Sequence, residues 1–208
     1  MILDSILEAN RSYGAGNREV RAQTEGAAVA LVVCKDRRLQ EHIPRAFGLR
    51  YGEYDHIALA GCSSAENDQG ILRSACMAAV LGGVREILVV GHTDCHMASD
   101  VAHVLAAFEK AGVPRAALGS GDLRVLLGLI SSPQSAADAT AGILRRSPWI
   151  PPGSAVHALL MDTASGRLSV ISRGAPERDV KQAVATGWDI GVSVTVPTVS
   201  AAGVDAPG

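Results

Sequence analysis

Two short runs of this chain carry residues that could hold and use a metal ion. In EILVVGHTDCHM, residues 86–97, an apolar run meets a glycine and then presents His92 and Cys95, three apart. In VVCKDRR, residues 32–38, a second apolar run ends with Cys34, Asp36 and Arg38 at i, i+2 and i+4. In an extended segment those three side chains share one face, so a thiolate, a carboxylate and a guanidinium would point into one cleft. Cys34, His92 and Cys95 together make a soft sulfur and nitrogen set, which suits zinc better than an oxygen-loving cation. Three protein ligands leave the fourth tetrahedral position open, as catalytic zinc sites do. Zinc in such a site brings the pKa of bound water to about 7, although two thiolates oppose that acidification. Asp36 is placed to accept a hydrogen bond from the resulting hydroxide, and Arg38 to hold Asp36 in a bidentate pair. Each fragment alone is a weak signal. A solitary Cys34 is as readily a small buried hydrophobe, and a solitary Asp36–Arg38 pair is most often a surface ion pair. Their joint occurrence after two strand-like runs is what gives them weight.

The elements that must position these residues alternate. Residues 4–12 read as a short helix, and a polar, glycine-containing arm follows to about residue 26. AAVALVVC (27–34) is a continuous apolar run of strand length, and RRLQEHIPRAFG (37–48) has helical spacing, with Pro44 expected to kink or end it. DHIALAG (55–61) is a second strand, residues 66–83 a helix with Ile71, Leu72, Ala75, Ala78 and Ala79 on one side, EILVVG (86–91) a third strand, and residues 98–112 a helix. Strand and helix in alternation, with strands apolar throughout, predict parallel βαβ units covered by helices on both faces. Residues 120–146 read as helix in pieces, broken at Gly128 and at SSP (131–133). AVHALLMD (155–162) and RLSVIS (167–172) read as a hairpin or as a strand and an edge strand, and 175–187 as a further helix. The expected organisation is an N-terminal helix and arm (1–26), a zinc-binding α/β domain (27–172) and a C-terminal extension (173–208). Ligands of open α/β sheets gather beyond the carboxyl ends of the strands, where both motifs fall.

Composition narrows the function. Charged residues are 19% and hydrophobic residues 48%, enough for a sizeable core. Net charge is −2, which argues against a nucleic-acid or anionic-membrane surface. No apolar run reaches the roughly 20 residues of a membrane helix, and the first residues lack the pattern of a signal peptide. A cytoplasmic enzyme acting on a small molecule is the expectation. Four cysteines without an export signal predict metal ligation or burial rather than disulfides. Cys62 and Cys76 are read as buried thiols; His42, His56, His103 and His157 as surface or satisfied histidines.

Cys34-x-Asp36-x-Arg38 and His92-x-x-Cys95 resemble the two signature motifs of the β-class carbonic anhydrases. The likeness extends to FGLRYGEYDHIALAG (47–61), GILRSACMAAVLGGVREILVVGHTDCHM (70–97), SPWIPPGSAVHALLMDTASGRL (147–168) and LEANRSYGAG (7–16), and so covers about residues 5–172. The resemblance implies a central, mostly parallel sheet flanked by helices, with an N-terminal helical arm. It implies zinc on Cys34, His92 and Cys95, with Asp36 and Arg38 as a dyad beside zinc-bound hydroxide that hydrates carbon dioxide reversibly to bicarbonate. In the family this dyad can break, the aspartate then taking the fourth zinc position. The family builds its site at a subunit interface, which implies a homodimer or higher homo-oligomer, with the N-terminal segment crossing to the partner. Two places depart from the pattern. The family's Arg-Asn-Ala-Gly is here Ala58-Leu59-Ala60-Gly61, and its Cys-Gly is Cys95-His96. The bicarbonate-binding regulatory site of some members uses that missing arginine and is not expected here. Leu59, Gly61 and His96 are the candidates for the substrate pocket, and His96 also for proton transfer. Two alternatives stand beside carbon dioxide hydration: hydrolysis of carbonyl sulfide or carbon disulfide on the same zinc, and a zinc-bearing scaffold or sensor with weak catalysis.

Overall fold

A computed structural model describes residues 2–16, 29–50, 52–63 and 69–174. The helix expected at 175–187 lies outside the described residues, as does residues 17–28 of the arm. The elements in order are α1 (Ile2–Gly14), β1 (Val29–Cys34), α2 (Arg37–Ala46), β2 (Tyr54–Leu59), α3 (Gln69–Val80), β3 (Glu86–His92), α4 (Val101–Lys110), α5 (Leu123–Leu127), α6 (Pro133–Arg146), β4 (Ala155–Met161) and β5 (Leu168–Ser172). The sheet runs β2-β1-β3-β4-β5. The first four strands are parallel to their neighbours and β5 returns antiparallel along β4. The α/β architecture expected from the alternation is therefore the one observed, and the 155–172 region resolves as a hairpin at the sheet's edge.

The apolar strands make sense once both faces are seen to be covered. Along β1, Leu31 and Val33 join Leu88, Val90, Leu159 and Met161 on the face packed by α1 and α2. Ala30 and Val32 join Ile87, Val89, Val156 and Ala158 on the face packed by α3 and α6. The covering helices are spaced to match: Leu39, Ile43 and Ala46 on α2, and Ile71, Ala75, Ala78 and Ala79 on α3, are buried. Aromatic residues are scarce, so small side chains on α3 and α6 let these helices lie close to the sheet. One close approach is at Gly91, where a Cβ would stand 2.4 Å from the carbonyl oxygen of Pro133 at the start of α6. Cys76, expected in the core, is only half-buried on α3.

Helix ends follow their local chemistry. Asp36, Asp100, Asp122 and Ser132 cap α2, α4, α5 and α6 with their side chains. Pro44 lies inside α2, which ends two residues later at Ala46. α1 lies on its own chain, burying Leu3, Ile6 and Tyr13. Asn10 fastens it, donating to the carbonyls of Ala46 and Gly166 and accepting from the Leu168 N–H. At its N-terminus the Glu86 carboxylate accepts from the N–H groups of Ile2 and Leu3. Beneath Glu86 sits His157, whose Nε2 is 3.6 Å from the carboxylate and whose ring is 1% exposed. His157 is thus neither at the surface nor hydrogen-bonded, because its place on β4 fixes it within the sheet. No helix among the described residues is long and apolar enough to cross a membrane.

Order in the sheet also sets where chemistry can occur. From β1 the chain passes through α2 to β2 on one side, then crosses to β3 on the other. The carboxyl ends of β1 and β3 therefore flank the point where strand order reverses, the crevice that open α/β sheets use for ligands.

Candidate metal centre

Cys34 ends β1 and His92 ends β3, side by side at this crevice, and Cys95 follows in the loop after β3. One ligand atom from each of Cys34, His92 and Cys95 lies within 4.8 Å of the others, and all three residues are buried. The two sulfurs are 4.0 Å apart. Ligands about 2.3 Å from a tetrahedral zinc would stand about 3.8 Å apart, so the sulfur spacing needs little change to accept the ion. His92 Nε2 is buried and has no hydrogen-bond partner, which is costly unless a metal takes its lone pair.

The electrostatics point the same way. Cys95 hydrogen-bonds Cys34, and although burial opposes ionisation, that bond, neighbouring His92 and the Gly61 N–H at 3.4 Å hold the Cys34 thiol below the ordinary cysteine range. Cys95 is pushed the opposite way, upward, by Cys34 and by burial. Two thiolates this close repel each other, so a cation between them favours ionising both. Cys62, next to Gly61, is held up to about 12 by burial, and remains a buried thiol as expected.

Asp36 and Arg38 pair tightly, but not by the extended geometry expected from their spacing. β1 stops at Cys34, Asp36 is the N-cap of α2, and Arg38 is already inside the helix. Asp36 Oδ1 accepts from the backbone N–H of Arg38 at 2.9 Å, and this turns the carboxylate back toward the guanidinium. Arg38 Nε and Nη2 then reach both carboxylate oxygens, the shorter contact being 2.7 Å. The Arg38 guanidinium holds the Asp36 carboxyl down to about 2. Nη2 also donates to the carbonyl of Asp94, tying α2 to the loop that carries Cys95. Asp94 has φ 55° and Cys62 φ 48°, the two non-glycine residues in the left-handed region among those described, and both adjoin the centre.

A cleft of about 360 Å³ opens over the centre. Cys34, Cys95 and Asp36 line it, with Ala60 and Met97 as apolar wall and His96 exposed beside them. Leu59 does not line it. Leu59 pairs with Cys34 across β1 and β2, and its side chain packs with Ile57 against the α3 and α6 side of the sheet. Ala60 takes the wall position instead. Gly61, with φ 76°, turns the chain so that its N–H faces the Cys34 sulfur. Behind that turn, buried Thr140 donates to the Cys62 carbonyl at 3.0 Å.

Sequence reasoning did not reach Thr140, Thr93 or Thr163. His92 Nδ1 is 2.8 Å from the carbonyl of Thr93 and 3.3 Å from Thr163 Oγ1. These partners come from residues remote in sequence, and nothing in their local pattern marks them.

No protein-family model matches the chain. The chain is similar to β-carbonic anhydrase 1 of Mycobacterium tuberculosis, with 27% identity over 177 residues, covering 82% of this chain and 98% of the relative. Among solved structures it is similar to β-carbonic anhydrase isoform I of Trichomonas vaginalis, with a TM-score of 0.65 and 25% identity, covering 83% of this chain and 98% of that one. The fold is shared as well with a carbon disulfide hydrolase, at a TM-score of 0.53 and 22% identity over 92% of this chain and 98% of that one.

Proposed function

Starting from a chain that resembles the β-carbonic anhydrases in both sequence and fold, we propose that it is a zinc enzyme hydrating carbon dioxide reversibly to bicarbonate. Cys34, His92 and Cys95 would hold the ion. The observation that carries this reading is the meeting, at the strand-order reversal, of two sulfurs 4.0 Å apart with a buried, unpartnered imidazole nitrogen beneath an Asp–Arg pair. Zinc bound there would supply acidified water as a nucleophile near neutral pH.

The chain's own groups have separable parts in such a reaction. Asp36, ionised at neutral pH, can only accept hydrogen bonds, so it orients an O–H without giving up a proton. Arg38 fixes the carboxylate by its planar fork, for which lysine is no substitute. Ala60 and Met97 offer a small apolar wall that fits uncharged carbon dioxide. Lys35 and Arg37, exposed on the rim, make the mouth positive, which suits departing bicarbonate. Water plus carbon dioxide gives bicarbonate and one proton, and exposed His96 is in place to pass that proton to solvent. The enzyme would act as a homo-oligomer, as the family resemblance implies.

The apolar wall also favours one second reading, hydrolysis of carbonyl sulfide or carbon disulfide at the same centre. The test is zinc quantification and stopped-flow carbon dioxide hydration, beside a Cys34→Ser control and a panel of the sulfur analogues. About one zinc per chain with rapid, Cys34-dependent hydration supports the main reading. Zinc with turnover of sulfur analogues alone selects the second. Zinc with no turnover of either leaves a zinc-bearing scaffold.

A further inference from the structure

We propose that Thr163 is a positioning residue for His92, acting through Thr93, and that His42 buttresses it. The inference rests on the reading of His92 as a metal ligand. Thr163 follows β4, Thr93 follows β3, and each uses its hydroxyl on the other. The Thr163 N–H donates to Thr93 Oγ1 at 2.9 Å, Thr93 Oγ1 donates to Thr163 Oγ1 at 3.2 Å, and Thr163 Oγ1 donates to the Thr93 carbonyl at 2.6 Å. That closed set pins the Thr93 peptide so that its carbonyl faces His92 Nδ1 at 2.8 Å.

The consequence for His92 follows from chemistry. A carbonyl only accepts, so Nδ1 must carry the ring proton. Nε2 is then left with its lone pair, and this is the buried atom without a protein partner beside the two sulfurs. Thr163 Oγ1 at 3.3 Å from Nδ1 offers a second acceptor on the same side of the ring. Tautomer and ring orientation are thus fixed before any metal arrives, as outer partners of metal-binding histidines do elsewhere.

The pair is itself held from behind. Thr163 is 6% exposed, and its carbonyl accepts from His42 Nε2 on α2 at 3.0 Å. Nε2 carries the His42 proton in that bond, so Nδ1 is free to accept from the Tyr13 hydroxyl of α1, 3.4 Å away. A chain of polar contacts therefore runs from α1 through α2 to the centre: Tyr13, His42, Thr163, Thr93, His92. His42 is accordingly a satisfied histidine, the second of the two expectations for it.

The experiment compares Thr163→Val, Thr163→Ser and wild type by zinc affinity from chelator competition, by urea unfolding of the metal-free chain, and by the His92 tautomer in metal-free protein from long-range nitrogen–proton NMR. Thr163→Val is expected to weaken zinc binding about 10- to 100-fold, to turn a single Nδ1–H form of His92 into a mixture, and to leave metal-free stability close to that of Thr163→Ser. Thr163→Ser, which keeps the hydroxyl, is expected within about threefold of wild-type affinity. Unchanged affinity in Thr163→Val, or equal losses in both variants, would overturn the proposal. So would a pure Nδ1–H form in Thr163→Val, or a fall in metal-free stability that accounts for the whole loss of affinity. Should Thr163→Val not fold, His42→Leu decides: a loss of at least about threefold in zinc affinity supports the chain of contacts, and no change refutes it. The tautomer is read without metal or turnover, so a protein that binds no zinc, or binds it and hydrates nothing, refutes the proposed function without touching this result.

Discussion

Replacing Gly61 with alanine is expected to cost more than its left-handed backbone alone explains. At φ 76° an alanine bears about 1–2 kcal/mol of conformational strain. The new Cβ would also stand 3.0 Å from Met97 Cβ, 3.2 Å from Met97 Cγ and 3.4 Å from Ile130 Cγ2. Met97 cannot swing clear, because Cβ is fixed to a backbone whose carbonyl accepts from the Ile130 N–H at 2.9 Å. Relief requires the turn after Cys95 to move, and overpacking of that kind costs about 1–3 kcal/mol. The total expected is about 2–5 kcal/mol. Gly128→Ala separates the two parts: it has φ 65° at the end of α5, and nothing lies within 4 Å of its Cβ position. That variant should lose only the backbone part, about 1–2 kcal/mol, and should keep its zinc affinity. Urea unfolding of the metal-free variants, with chelator competition for zinc, measures both. If Gly61→Ala were no more destabilised than Gly128→Ala and bound zinc as tightly as wild type, the reasoning from the Met97 contact would be wrong.

Three further outcomes are expected. Thr140→Val removes the buried hydrogen bond from Thr140 to the Cys62 carbonyl, and should cost about 1–3 kcal/mol in urea unfolding. Arg38→Lys keeps the charge but loses the fork on Asp36 and the bond to the Asp94 carbonyl; carbon dioxide hydration should fall at least about tenfold with zinc content intact. At Glu86, burial alone would raise the carboxyl, but His157 and the N–H groups of Leu3 and Ile2 outweigh it and hold the pKa below its ordinary value. Stability from that carboxylate is therefore present above about pH 4.3, the ordinary glutamate value, and is lost as pH falls through the lower folded value. Glu86→Gln should flatten this acid limb, and equal pH dependence of wild type and variant in urea unfolding would count against it.

What could be read from the sequence, and what could not, divides by the range of the interactions. The strands and helices were legible because each depends on one segment's periodicity: Val29–Cys34 and Glu86–His92 are apolar throughout because both faces of the sheet are covered. Asp36 lines the cleft with Cys34 and Cys95 as a helix cap, not by the extended geometry expected from its spacing. Asp36 stands immediately before the helix that begins at Arg37, and a capping carboxylate turns back over its own helix start, where Arg38 meets it. Leu59 was misjudged because a family position was carried over without the strand's alternation, which sends Leu59 to the far face and leaves Ala60 at the wall. Thr93 and Thr163 lay beyond reach altogether. They are 70 residues apart, and they meet because β3 and β4 pair in the register that sets His92 opposite Met161. A shift of that register by one residue would take Thr163 away from Thr93 and turn the flanking side chains of β4 to the other face of the sheet. The order of the candidate metal centre thus depends on a pairing that neither motif encodes, and the packing of Leu159 and Met161 against α1 and α2 supports that pairing.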